Sequence, residues 1–169
     1  MVYYLIALVM FLIDQGTKYL IASRLEMYEQ IPVIGNFFLI TSSRNRGAAF
    51  GILQDQLWFF IVVTIAVVAG IVWYLRKMTK EGRKLLPTAL ALVLGGALGN
   101  FIDRLLMGEV VDFLQFNFGS YTFPIFNIAD SCIVIGVGLI ILDTILDGRR
   151  EKLNKLNTSR EVSGTEGNE

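Results

Sequence analysis

The chain has 169 residues, of which 54% are apolar and only 18% are charged. Soluble domains carry about 25% charged residues, so this composition favours a membrane protein. Basic and acidic residues number 15 each, which leaves no net charge to attract nucleic acid. Since histidine is absent and there is one cysteine, the sequence excludes imidazole-dependent nucleophiles, zinc sites that need histidine and an internal disulfide.

Four apolar segments are long enough to cross a bilayer, which takes about 20 residues in a helix. In chain order they are residues 1–22, 57–75, 85–106 and 126–146. The first lacks the basic start and the small-residue cleavage site of a secretory signal peptide, so we expect it to remain as a helix. We therefore predict an all-α integral membrane protein, a bundle of four transmembrane helices that forms one domain over residues 1–147.

The positions of lysine and arginine predict how this bundle is oriented. Ten of the 15 basic residues lie either between the second and third spans or after the fourth span. Basic residues accumulate on the cytoplasmic side of a membrane. We therefore expect both termini in the cytoplasm, loops 23–56 and 107–125 on the outside, and a polar, disordered cytoplasmic tail over residues 148–169.

The two outer loops are predicted to form a small extracytoplasmic β/loop subdomain. Residues 31–40 are apolar and β-prone but too short to span a membrane, so we expect them on its surface or paired as strands. In the second loop, Gly119 and Ser120 separate two β-prone runs, which is typical of a two-residue hairpin of type II′. Pairing about that turn would bring Asp112 roughly opposite Asn127.

The polar residues of the spans all lie near the predicted outer ends, where several segments converge at one depth. Ionisable residues inside a membrane are costly and usually face the bundle interior or a wet cavity. The positions concerned are Asp14 and Lys18 in the first span, Asn100, Asp103 and Arg104 in the third, Asn127 and Asp130 in the fourth, and Asp112 in the loop between the last two.

Most of these residues have a structural interpretation beside the functional one. Asp14 and Lys18 are four positions apart on one helix face and would neutralise each other. Asp103 would cap, pair with or orient a neighbour. Asn127 and Asp130 would serve the start of the fourth span, as an N-cap and as an acidic residue in the first turn.

Two aspartates held close together would supply hydrolytic chemistry without histidine or metal. They cannot both ionise easily, so near neutral pH one acts as an acid and the other as a base. The base activates water for attack on an amide, and the acid protonates the carbonyl oxygen. Asp112 and Asp130 are the favoured pair because the hairpin returns the chain from one to the other, and Asp103 is the rival partner.

Five segments at these positions closely resemble the bacterial lipoprotein signal peptidases, also called type II signal peptidases. They occur in the order found in that family, and the resemblance covers roughly residues 1–147. The segments are DQGTK at 14–18, RNRGAAFG at 44–51, GGALGNFIDR at 95–104, GEVVDF at 108–113 and FNIAD at 126–130.

The resemblance implies a membrane aspartic endopeptidase that removes signal peptides from diacylglyceryl-modified prolipoproteins and cuts just before the lipidated cysteine. It implies the bacterial cytoplasmic (inner) membrane as the location, with the active site near the outer face. It assigns the catalytic roles to Asp112 and Asp130. Supporting or substrate-binding roles fall to Asp14, Lys18, Asn45, Gly47, Asn100, Asp103, Arg104, Asn127 and Ala129, and Ala48 is a further small motif position.

The expected partners are a lipidated prolipoprotein and membrane phospholipid, with no nucleic acid, no metal and no cofactor, and the protein is expected to be a monomer. The residues alone leave two other classes open. A proton-coupled transporter would use the intramembrane acids as a relay, although a relay should cross the membrane and these residues occupy one side. A non-catalytic assembly protein would use them only to lock helices together.

Overall fold

The computed structural model describes residues 1–47, 52–78 and 84–165. These ranges contain four long helices: α1 (Val2–Arg24), α2 (Leu57–Met78), α3 (Leu85–Met107) and α4 (Ile128–Thr165). Each includes a segment long and apolar enough to cross a membrane. The chain is therefore a multi-pass membrane protein, and the four predicted spans agree with the helices to within three residues except at the end of α4.

The third helix lies at the centre of the bundle and packs against each of the other three. Its small residues allow close contact, which is how helices associate in membranes. A Cβ at Gly95 would lie 2.7 Å from the carbonyl oxygen of Ala7 in α1, and one at Gly96 would collide with the carbonyl oxygen of Ala129 in α4. The backbones of α1 and α4 therefore approach α3 at positions where only glycine fits.

A small antiparallel sheet adds β structure to the predicted all-α bundle. Its strands follow the order β1 (Gln30–Ile34), β2 (Phe38–Asn45), β3 (Val110–Phe118) and β4 (Tyr121–Thr122). The strands connect the C-terminal ends of α1 and α3 to the N-terminal ends of α2 and α4, so the sheet and these four helix ends lie at one end of the bundle.

Both outer loops form hairpins, of which the sequence predicts the second and allows the first. In the first, Ile31 pairs with Ile40, so the segment 31–40 forms strands. In the second, Phe118 pairs with Tyr121 across Gly119 and Ser120. Gly119 has a φ of +66° and Ser120 has no positive φ, as a type II′ turn requires.

The last helix is longer than expected. The sequence predicted disorder over residues 148–169, whereas α4 continues to Thr165. The segment after Gly148 is rich in arginine, lysine, glutamate and leucine, all of which favour helix. Lys155 Nζ also lies 2.7 Å from Glu151 Oε1 one turn earlier, an ion pair that supports the helix. The structure thus differs from the prediction for residues 148–165, and the last four residues lie outside the described ranges.

Candidate active site

A buried lysine joins α1 to α3 near the sheet end of the bundle. Lys18 Nζ lies 2.8 Å from Asp14 Oδ2 and 2.8 Å from Asp103 Oδ2, and all three side chains are almost fully buried. The predicted pair of Asp14 and Lys18 is therefore present, and Asp103 completes an ion-pair cluster (Asp14, Lys18 and Asp103). Buried charges are costly unless they are paired in this way.

Gln15 also contacts the ion-pair cluster, although the sequence did not predict it as a site residue. Its Nε2 donates to Asp103 Oδ1 at 2.9 Å and to the carbonyl oxygen of Gly99 at 3.1 Å. Its position could have indicated this role, because Gln15 lies in the DQGTK segment, three residues before Lys18 and hence near the same helix face. Gln15 therefore fixes the second oxygen of Asp103, which Lys18 does not reach.

Asp14 also contacts the beginning of α4. Its Oδ1 accepts a 2.8 Å hydrogen bond from the backbone N–H of Ala129. That N–H is one of the donors that a helix leaves unpaired at its N-terminus. Ala129 is fully buried, and a Cβ at Gly99 would collide with the Asp14 carboxylate. Small residues at positions 99 and 129 therefore make room for the aspartate that anchors α4.

Two residues of the predicted cluster cap the start of α4. Asn127 Oδ1 accepts from the backbone N–H of Asp130 at 2.9 Å, and Asp130 Oδ2 accepts from the backbone N–H of Asn127 at 3.2 Å. This reciprocal arrangement is a capping box. It confirms the structural roles predicted for both residues and fixes the position of the Asp130 carboxylate.

A β-bulge in β2 lies next to Asp112 of β3. Ile40 pairs with Leu114 and Ser43 pairs with Asp112, so residues 41–42 of β2 lie opposite a single residue of β3. Bulges bend a strand and redirect side chains, and they are common beside active sites. Asp112 is only 3% exposed at this point. No pattern in the sequence predicts the bulge.

Three asparagine side chains donate hydrogen bonds to the two aspartates. Asn45 Nδ2 donates to Asp112 Oδ2 at 3.0 Å, and Asn127 Nδ2 donates to Asp112 Oδ1 at 2.7 Å. Asn100 Nδ2 donates to Asp130 Oδ1 at 2.8 Å. Asp112 and Asp130, the aspartate pair, are therefore held in place by neutral donors from β2, α3 and the residue before α4.

The orientation of each asparagine amide is fixed by a hydrogen-bond donor that contacts its oxygen. Asn45 Oδ1 accepts from the backbone N–H of Gly47 at 2.9 Å. Asn100 Oδ1 accepts from Lys18 Nζ at 2.8 Å. Asn127 Oδ1 accepts from α4, as described above. All three NH₂ groups consequently point towards the aspartate pair.

The surroundings of Asp112 alter its acidity. Burial raises the pKa of Asp112 to about 7, and the nearby charge of Asp130 acts in the same direction. The hydrogen bonds from Asn45 and Asn127 oppose this rise in pKa because they favour the ionised form. Asp112 is therefore able to hold or release a proton near neutral pH, as the carboxylate-pair hypothesis expects.

Arg104 connects α3 to the segment between β2 and α2. Its Nη2 donates to the carbonyl oxygen of Gly47 at 2.8 Å, and its guanidinium lies 4.4 Å from the ring centroid of Phe60. A cation over an aromatic face is favourable in a desolvated setting. Its Nε is buried without a hydrogen-bond partner among the described residues. Phe60 was not predicted, because an aromatic residue in an apolar span carries no distinguishing signal.

The aspartate pair faces a cavity of about 1040 Å³. Its lining includes the polar residues Asn45, Asn100, Arg104, Asp112 and Asp130. It also includes the apolar residues Phe60, Phe123, Phe126, Ile133 and Val134. Val134 is 71% exposed, so the apolar part of the lining continues onto the outer surface of α4. Within the described ranges, no cluster of three or more acidic, histidine or cysteine side chains is suited to hold a metal ion.

All eleven residues in the predicted site lie in this part of the molecule, in two layers. Those that line the cavity are Asn45, Gly47, Asn100, Arg104, Asp112 and Asp130. The others lie behind them, and these are Asp14, Lys18, Asp103, Asn127 and Ala129. Ala48, the further small position of the motif, lies outside the described residues.

Fold and site together define a multi-pass membrane protein in which asparagine side chains hold two aspartates beside a largely apolar cavity, which is the arrangement of a membrane aspartic peptidase. Comparison with known families is more specific. A family model described as signal peptidase (SPase) II matches residues 6–146. The chain belongs to the signal peptidase II family.

Individual relatives agree with this assignment over nearly their whole length. A lipoprotein signal peptidase of Bacillus pumilus is 56% identical over 152 residues, which are 90% of this chain and 97% of the relative. One from Halalkalibacterium halodurans is 51% identical over 155 residues, or 92% of this chain and 99% of the relative.

The fold is also similar to that of two bacterial membrane enzymes whose structures were solved by the in meso method. The structure at 2.3 Å resolution has a TM-score of 0.79 and 44% identity, and the match covers 87% of this chain and 89% of that chain. The structure at 1.9 Å resolution has a TM-score of 0.76 and 45% identity, with 85% and 92% covered.

Proposed function

We propose that this protein removes signal peptides from prolipoproteins by hydrolysing the peptide bond just before a cysteine that carries diacylglycerol. The proposal is carried by the aspartate pair, which lines a cavity together with both polar and apolar side chains, in a chain of the signal peptidase II family. Polar lining residues suit a peptide bond, and apolar lining residues suit acyl chains and an apolar signal sequence.

In the proposed reaction the two aspartates have different roles. Asp130, in the first turn of α4, where a carboxylate is favoured, is the base. Asp112 is the acid, because its pKa of about 7 lets it retain a proton at neutral pH. As water attacks the scissile carbonyl carbon, Asp130 takes a proton from the water and Asp112 gives its proton to the carbonyl oxygen.

The second half of the reaction restores both carboxyl groups. The tetrahedral intermediate collapses with cleavage of the C–N bond, and Asp130 delivers its proton to the leaving nitrogen. One hydroxyl of the intermediate returns a proton to Asp112 as the new carboxyl group forms. Asn45, Asn100 and Asn127 hold the two carboxyl groups in place during these transfers.

The proposed orientation places the sheet on the outer side of the bacterial cytoplasmic membrane and both termini in the cytoplasm. Arg76 and Lys77 end α2, Lys84 precedes α3, and Arg149 and Arg150 follow the apolar part of α4. All lie at the end of the bundle opposite the sheet, and basic residues favour the cytoplasmic side. The active site then lies near the outer face.

We further propose that the catalytic unit is the domain 1–147 acting as a monomer. Both aspartates and the side chains that hold them come from one chain. The partners are then the lipidated prolipoprotein, which enters the cavity, and the membrane phospholipid that surrounds the bundle.

A cleavage assay tests this function directly. Purified protein in detergent is mixed with a prolipoprotein, either diacylglyceryl-modified or unmodified, and loss of the signal peptide is followed by a gel shift. We expect cleavage of the modified substrate alone. If folded protein cut neither form, the proposed activity would be wrong, and if it cut both equally, the requirement for lipid would be wrong.

A further inference from the structure

The ammonium group of Lys18 has a contact that the ion-pair cluster does not explain. An ammonium has three N–H donors and no acceptor. Two donors of Lys18 are directed at Asp14 and Asp103, each at 2.8 Å. The third is directed at Asn100 Oδ1, also at 2.8 Å, which links the cluster to an amide that contacts the aspartate pair.

This third hydrogen bond determines which end of the Asn100 amide faces Asp130. Because Lys18 only donates, it requires the amide oxygen on its own side. The NH₂ group is then turned towards Asp130 and donates to Oδ1 at 2.8 Å. If the amide were reversed, its oxygen would lie against the carboxylate oxygen, which is repulsive as long as Asp130 is ionised.

The other two asparagines are oriented by backbone groups. Asn45 accepts from the N–H of Gly47, and Asn127 accepts from the N–H of Asp130. Asn127 Nδ2 also approaches Asn100 Oδ1 at 3.2 Å, but its shorter bond is the one to Asp112 at 2.7 Å. Lys18 is therefore the side chain that sets the orientation of Asn100.

We propose that Lys18 is a positioning residue of the peptidase: acting through Asn100, it holds the carboxylate of Asp130 in the orientation that receives the proton of the attacking water. Lys18 is 3% exposed and behind the cavity wall, so it does not touch substrate. The inference rests on the proposed function of the aspartate pair.

A double-mutant cycle separates positioning from a general structural role. Lys18→Met should lower kcat about 100-fold, since a small misplacement of a reacting group has effects of this size, and should change KM by no more than about twofold. In an Asn100→Ala background, Lys18→Met should change kcat by less than about threefold, because the residue through which it acts is gone. Equal factors in the two backgrounds would overturn the proposal.

The folding of the variant needs its own control, because Lys18→Met leaves two carboxylates without a counter-ion. Asp103→Asn removes one ion pair of Lys18 and retains the bond to Asn100, so at a similar loss of Tm it should lower kcat far less. If Lys18→Met does not fold, the same change is made in a protein that already carries Asp14→Asn and Asp103→Asn, so that no carboxylate loses its counter-ion. The triple variant is then compared with the double variant, and an equal kcat in the two would overturn the proposal.

Failure of the wild-type protein to cleave would instead count against the proposed function.

Discussion

Asn127 donates a 2.7 Å hydrogen bond from Nδ2 to Oδ1 of Asp112, fifteen positions earlier in the chain. The oxygen of the same amide accepts from the backbone N–H of Asp130. One side chain therefore ties the strand that carries the first aspartate to the helix that carries the second. The separation of the proposed acid and base is consequently fixed by the fold and does not depend on substrate.

Replacement of either aspartate should greatly slow cleavage without loss of the fold. Asp112→Asn and Asp130→Asn each remove a proton carrier while preserving shape, so we expect cleavage to fall on the order of 10³-fold. The measurement is the rate of cleavage of a lipidated prolipoprotein, with Tm to establish folding. Asp143→Asn is the matched control, because Asp143 is a buried carboxylate of α4 at the other end of the bundle. A folded Asp112→Asn enzyme with the wild-type rate would exclude the proposed acid.

The helices and some contacts of the site were predictable from local signals. Apolar runs of sufficient length define the spans, and a spacing of four residues predicts the contact between Asp14 and Lys18. A glycine followed by serine between β-prone runs predicts the hairpin, and from the hairpin follows the proximity of Asp112 and Asn127.

The remaining features depend on contacts between distant segments. The bulge at residues 41–42 arises from the pairing of β2 with β3, which lie far apart in the chain. Phe60 becomes part of the site only because Arg104 packs over its ring. The tail was misjudged because its polar composition resembles a disordered segment, although its individual residues favour helix.

The alkaline limb of the cleavage profile should reflect the titration of Asp112. As the proposed acid, it must be protonated, so kcat should fall as pH rises through its pKa of about 7. The hydrogen bond from Asn45 lowers that pKa, and Asn45→Ala should therefore move the limb to higher pH. The measurement is kcat as a function of pH. Asn117→Ala is the control, because this amide contacts Gln115 and Asn36 in the sheet and should leave the limb unchanged.

The same raised pKa predicts how stability depends on pH. A carboxyl group whose pKa is higher in the folded than in the unfolded protein stabilises fully below its unfolded value, here 3.8, and loses that contribution as pH rises through about 7. Asp112→Asn does not titrate. Its Tm relative to wild type should therefore increase between about pH 4 and about pH 8, measured by thermal unfolding in detergent. A constant difference in Tm would show that burial of Asp112 does not affect its pKa.

Two glycines of α4 provide a test of how closely this helix must approach α3. A Cβ at Gly136 would lie 2.8 Å from the carbonyl oxygen of Ala89 and 2.6 Å from Val93 Cγ2, whereas a Cβ at Gly138 would meet nothing within 4 Å. Gly136→Ala should therefore destabilise the protein by about 1–3 kcal/mol. Gly138→Ala should leave Tm unchanged or raise it, since alanine favours helix.

The same pair of variants also tests whether the packing of α4 matters for cleavage. Because α4 carries Asp130 in its first turn, displacement of the helix by Gly136→Ala should lower kcat together with Tm, and Gly138→Ala should retain the wild-type kcat. Both quantities are measured on protein purified in the same detergent. Equal Tm and kcat for the two variants would mean that α4 can move away from α3 without disturbing the aspartate pair, contrary to the close contact of their backbones.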